Sequence, residues 1–178
     1  DNKSMEKIGV NSPAINVKEN ETLYEIYTDG ATSGNGMENS SGGFGVAIFN
    51  NGQLEDYYMK GCEGTTNNRE ELKAILYALI QFGKTKPTPI VYSDSAYSVN
   101  TLTNWMYGWE RAGWIKSDKK EPKNLDLIKA YFDLVENQGY QINLQKVKGH
   151  NNILGNELAD QLAHLDDREA QKLMLRKE

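Results

Sequence analysis

The chain has 178 residues, 38% hydrophobic and 25% charged, with a formal net charge of −5. These totals fit one globular domain with one core, and no apolar run approaches the roughly 20 residues a membrane-spanning helix needs. Cys62 is the sole cysteine and the N-terminal stretch has no apolar signal core, so there is no internal disulfide framework and a reducing, cytoplasmic setting is the default. The negative balance argues against broad attraction to phosphate but leaves room for a local basic patch.

Residues 1–21 carry few large apolar side chains and no period, and read as a flexible N-terminal arm or an engineered remnant. Order is expected from Leu23. "LYEIYTDG" reads as a strand, and "GGFGVAIFN" and "QLEDYYMKGC" as a hairpin turning at Asn51-Gly52. After "GTTNN" the period becomes helical, with Leu72, Ile75, Leu76 and Leu79 on one face up to about Phe82 and Gly83. "PTPIVYSD" is a short strand and "AYSVNTLTNWMYGWERAG" an aromatic-rich helical stretch. "NLDLIKAYFDLVENQ" is an amphipathic helix stopped by Gly139, "YQINLQKVKG" a last strand, and the chain is helical again from Asn156. The order predicts an α/β fold with a mixed sheet flanked by helices.

Acids stand where such a sheet exposes its functional edge. Asp29 ends the first strand and Asp94 the fourth, and sites in open α/β sheets lie beyond the carboxyl ends of strands. On the helix after "TTNN", the leucine stripe puts Glu71 at the flank of the buried face and Glu70 nearly opposite, solvated. With Asn67 as cap, Glu70 would also sit at the third helical position, where it reaches back to the cap. A single Asp at a strand end is commonly only a turn residue. Several carboxylates together repel one another unless cations lie among them, and hard oxygen donors point to Mg²⁺ when phosphate completes the shell.

"YTDGA", "TTNNREEL", "YSDSAY" and "VKGHNNILGNELADQLA", in that order and spacing, resemble the motifs of type 1 ribonuclease H over about residues 23–165. The resemblance implies a ribonuclease H-like five-stranded mixed sheet, three antiparallel strands then parallel ones. It implies a catalytic domain over 22–166, followed by a helical tail over 167–178. It also implies an endonuclease cutting the RNA strand of RNA/DNA hybrids and leaving 5′-phosphate and 3′-hydroxyl ends. Carried over by motif, the metal ligands are Asp29, Glu71, Asp94 and Asp160, holding two Mg²⁺ ions with Mn²⁺ as an alternative. His150 is expected to assist proton transfer or product release rather than to bind metal. Asn35 and Asn67 are expected to face the RNA strand, and Thr66, Asn67, Asn68 and Arg69 to hold substrate at the helix start. Trp105, Trp109, Lys119 and Lys120 resemble the family's basic protrusion, which grips the DNA strand. In that segment, residues 109–124, five basic residues face Glu110, Asp118 and Glu121, so the grip is diluted and binding is expected to be more salt-sensitive.

The partner is thus an RNA/DNA hybrid duplex, with no membrane and a monomeric chain. An exonuclease of the same broad fold is disfavoured because Ala31, not an acid, lies two residues after Asp29. A catalytically idle hybrid-binding module is the alternative reading. His164 lacks such a set of partners and reads as structural, and Glu157 as a first-turn acid favoured by the helix dipole.

Overall fold

The computed structural model describes residues 22–33, 40–149 and 153–164. Strands β1 (Tyr24–Ser33), β2 (Ser41–Asn50) and β3 (Gln53–Glu63) form an antiparallel meander. The β2–β3 turn has positive φ at both Asn51 (51°) and Gly52 (87°), the backbone that lets two strands reverse without splaying. On the far side of β1, β4 (Ile90–Ser93) pairs in parallel, and β5 (Asn143–Lys146) pairs in parallel with β4, so the sheet order is β3-β2-β1-β4-β5. Both late strands are shorter than the apolar runs that announce them. Pro87 and Pro89 have no N–H for a ladder, and pairing starts only after them.

Helix α1 (Asn67–Phe82) lies on one face of the sheet and α5 (Leu154–His164) on the other. Ala74 and Ala78 of α1 press into the sheet against Ile26, Val46, Ile48 and Val91. Its other flank, Leu72, Ile75 and Leu79, meets Leu102, Met106, Ile128 and Tyr131 in a second apolar cluster. That cluster is closed by α4 (Leu125–Gln138), which stops at Gly139 in the left-handed conformation (φ 78°). On the opposite face Leu158 and Leu162 of α5 pack on Ala47, Phe49 and Leu54.

The helical stretch expected over 96–113 is interrupted. Helix α2 (Ala96–Asn100) passes through a π turn, Thr101–Trp105, into α3 (Met106–Arg111). Thr103 donates its hydroxyl to the carbonyl of Val99 at 2.6 Å, the side-chain competition that bends helices. Trp105 and Trp109 still share a face, with ring centroids 6.3 Å apart.

Candidate active site

The register of the parallel pair sets the site. Thr28 on β1 is opposite Ser93 on β4, and the Thr28 hydroxyl donates to the Tyr92 carbonyl at 2.8 Å, so Asp29 and Asp94 emerge side by side. Glu71 comes to them from α1. That approach needs Gly30, where a Cβ would collide with the backbone of Glu70 and Glu71. On the other face Gly45, paired with Asp29 across β2, lets α5 in: a Cβ there would strike Leu162 and the Ala159 carbonyl. Asp160 is carried on that turn of α5.

Asp29, Glu71 and Asp94 each offer a carboxylate oxygen, all within 4.8 Å of one another. Asp29 is 4% exposed, and Glu71 Oε1 is sealed from solvent with no hydrogen-bond partner. Burial pushes the Asp29 carboxyl well above its usual range, and the charge of Asp94 and a hydrogen bond with Asp160 push further. Glu71 is raised for the same first reason, burial, then by the charges of Asp29 and Asp94, with partial relief from the Gly30 backbone. Without a cation, burial and mutual repulsion favour the protonated forms of Asp29 and Glu71.

Beside that corner, α1 departs from the sequence expectation. Its cap is Thr66, whose hydroxyl accepts from the Arg69 N–H at 3.1 Å, and not Asn67. Glu70, expected in solvent, is fully buried. The leucine stripe marks only one of two buried faces; Glu70 lies in line with Ala74 and Ala78, four and eight residues on, and so faces the sheet. The regular alanine spacing is the signal that would have revealed this second face.

Asn67 and Asn68 are exposed at the start of α1. With Thr66, Tyr97, Lys123 and Asn124 they line a cavity of about 350 Å³. Arg69 is engaged by Asp126 through two bonds of 3.0 and 2.7 Å and donates to Asn124 Oδ1 at 3.4 Å. Lys123, one of the five basic residues of the 109–124 segment, lines this cavity together with Asn124, which the sequence reading passed over; Asn124 stands at the helix cap position, yet it sits at φ 62° and donates to the Tyr97 hydroxyl at 3.2 Å instead. Further along, Trp109, Lys116 and Lys119 line a second cavity of about 490 Å³, next to the 43%-exposed Trp105, with Lys120 exposed on the same loop. Trp114 is part of the core instead, packed edge-on to Phe132.

Two expected residues, Asn35 and His150, lie outside the described residues. Gly149, one residue before His150, passes so close to Asp94 that a Cβ on it would be 3.0 Å from Asp94 Oδ2. His164, expected from the sequence to be structural, stands beside Asp160 on α5. Four residues on from Asp160 it shares that helix face, exposed, with Nε2 3.7 Å from Asp160 Oδ1.

The RNase H family model matches residues 21–167. The chain belongs to the RNase H family. It is 40% identical over 141 residues to ribonuclease H of Verminephrobacter eiseniae, covering 79% of this chain and 87% of that one. The structure is similar to LC9-RNase H1, described as a type 1 RNase H with the type 2 active-site motif, at TM-score 0.64 and 27% identity, covering 83% of this chain and 73% of that one. It also matches LC11-RNase H1, solved in complex with RNA/DNA hybrid, at TM-score 0.56 and 23% identity, over 83% of this chain and 99% of that one. As an RNase H the chain is an endonuclease, a metal-dependent hydrolase of the RNA strand of RNA/DNA hybrids. No helix among the described residues is long and apolar enough to cross a membrane.

Proposed function

We propose that Asp29, Glu71, Asp94 and Asp160 are the groups with which this RNase H performs its hydrolysis, holding two Mg²⁺ ions and leaving 5′-phosphate and 3′-hydroxyl ends. The observation that carries the reading is the convergence of three carboxylates within 4.8 Å, one of them with a sealed oxygen that nothing in the protein satisfies. Carboxylates as a set of hard oxygen donors fit Mg²⁺, and Mn²⁺ next, rather than a soft ion. When bound, such ions neutralise the cluster, activate water and stabilise the leaving oxygen.

The protein's own part is orientation. Parallel pairing fixes Asp29 against Asp94, and Gly30 and Gly45 let α1 and α5 bring their acids to that edge. The hybrid lies across this edge, with one DNA phosphate at the N-terminal end of α1 beside Thr66, Asn67 and Asn68. Arg69, oriented by Asp126 and Asn124, supplies positive charge there. Trp105, Trp109, Lys119 and Lys120 meet the DNA strand further along, where exposed Trp105, Lys119 and Lys120 suit base–aromatic contact and phosphate pairing and Trp109 is partly buried beside them. Asn35 faces the RNA strand, and His150 assists proton transfer or product release. An idle binding module is disfavoured because a cluster of acids opposes phosphate binding unless cations are bound.

The test compares labelled RNA/DNA hybrid, double-stranded RNA and double-stranded DNA with and without Mg²⁺. Cleavage confined to the RNA of the hybrid, and only with metal, is expected. Equal cleavage of all three duplexes, or hybrid retention without fragments, would overturn the assignment.

A further inference from the structure

Glu70 precedes the catalytic glutamate and has no exposed surface. Its Oε2 accepts from the Thr65 hydroxyl at 2.5 Å and from Lys73 Nζ at 2.8 Å, while Oε1 is sealed without a partner. Lys73 in turn stands over the Phe44 ring of β2, 5.9 Å from its centroid. Thr65 is buried too, and it is clasped by Ser40: the Thr65 N–H donates to Ser40 Oγ at 3.1 Å, and that hydroxyl donates to the Thr65 carbonyl at 3.2 Å. The Gly64 N–H adds a bond to the Ser40 carbonyl at 2.9 Å.

The chain Lys73–Glu70–Thr65–Ser40 therefore joins two segments that meet substrate from different sides. Thr65 is the residue before the α1 cap, Thr66. Ser40 leads into β2 directly after the β1–β2 connection that carries Asn35. A carboxylate is a poor choice for stability at this point. Burying an acid with one oxygen unpaired is costly, and replacing every member of such a buried polar set by apolar residues is often without loss. What the carboxylate adds is direction, since it holds one hydroxyl at one place.

We propose that Glu70 is a positioning residue for hybrid binding: through Thr65 and Ser40 it holds the α1 cap in register with the start of β2, so that both strands of the duplex are met at once. The inference rests on the reading that these two segments hold the hybrid. Glu71 is oriented by its own place on α1 and by Gly30, so the chemical step does not depend on the brace.

The test is steady-state cleavage of hybrid with Mg²⁺, combined with thermal melting. Glu70→Met is expected to raise KM about tenfold, the worth of one well-placed hydrogen bond. Its kcat, measured where the variant is folded, stays within about twofold of wild type, while its melting temperature falls because Met leaves the buried Thr65 hydroxyl and Lys73 without their acceptor. Thr65→Val gives the same rise, and the double variant is no worse than either single one because both break one link. Glu70→Gln, which keeps an acceptor for Thr65, brings KM back toward wild type. An unchanged KM in a folded Glu70→Met would overturn the proposal. So would Glu70→Met and Thr65→Val raising KM independently, their effects adding in the double variant, at a temperature where all three are folded. Failure of the wild type to cleave hybrid at all would instead overturn the functional reading beneath it, so the two failures are told apart.

Discussion

Glu71 and Arg69 are two residues apart on the first turns of α1, yet their charges are treated in opposite ways. Arg69 is matched inside the protein by a two-pronged bond to Asp126, which holds that carboxyl below its usual range. Glu71 is crowded by Asp29 and Asp94, which with burial drive its carboxyl upward, and one of its oxygens has no partner. A charge already matched by the fold needs nothing further to be stable. A charge that the fold leaves unsatisfied needs something from outside, and here oxygen donors alone call for a hard cation.

The contrast predicts unequal consequences of substitution. The largest is at the acidic corner: Asp94→Asn should lower kcat by about 10³-fold, the scale of removing one preorganised electrostatic group, with the circular-dichroism spectrum unchanged. A variant that retained near-full turnover would mean that the three converging oxygens have no part in the chemistry. Next comes His150→Ala, expected to slow turnover by about 10²-fold as a proton-transfer group while leaving Mg²⁺ affinity intact. A parallel loss of metal affinity would make His150 a ligand, and an unchanged rate would refute its role. Smaller again is Arg69→Ala, which weakens hybrid binding several-fold and reduces the slope of log affinity against log salt by about 1. An unaltered salt slope would show that Arg69, fully taken up by Asp126, meets no phosphate.

Much of this contrast was legible in the sequence. The order of elements along the chain followed from the Asn-Gly turn, from the change of period after "TTNN" and from the glycines ending helices, while the five-stranded antiparallel-then-parallel sheet was implied by the resemblance, and the ladders agree with it. Asp29, Glu71 and Asp94 were picked out from their places at element ends, and the structure brings them within reach of one another. Glu70 was misplaced because a stripe of leucines hides a second buried face made of alanines, whose small size lets a helix press on a sheet without adding hydrophobic signal. The π turn was not legible because one inserted residue leaves the apolar period almost unchanged. The bonds of Asn124 and Arg69 join residues 55 apart, and no local pattern encodes them.

The central claim is that the acidic corner is strained until a cation enters it. The Asp29 carboxyl is raised above its ordinary 3.8 by burial and by neighbouring acids, so the fold favours its protonated form. In the metal-free protein that contribution to stability is full below the unfolded value and is lost as pH rises through the raised one. The direct measurement is the melting temperature of wild type and Asp29→Asn at pH 8, in chelator and then across a Mg²⁺ titration at constant ionic strength. In chelator the variant should melt higher, by about 2–4 °C for each kcal/mol of repulsion removed. Added Mg²⁺ should then raise the wild type and leave the variant where it was. A variant that melts below wild type in chelator, or equal responses of the two proteins to Mg²⁺, would contradict the account.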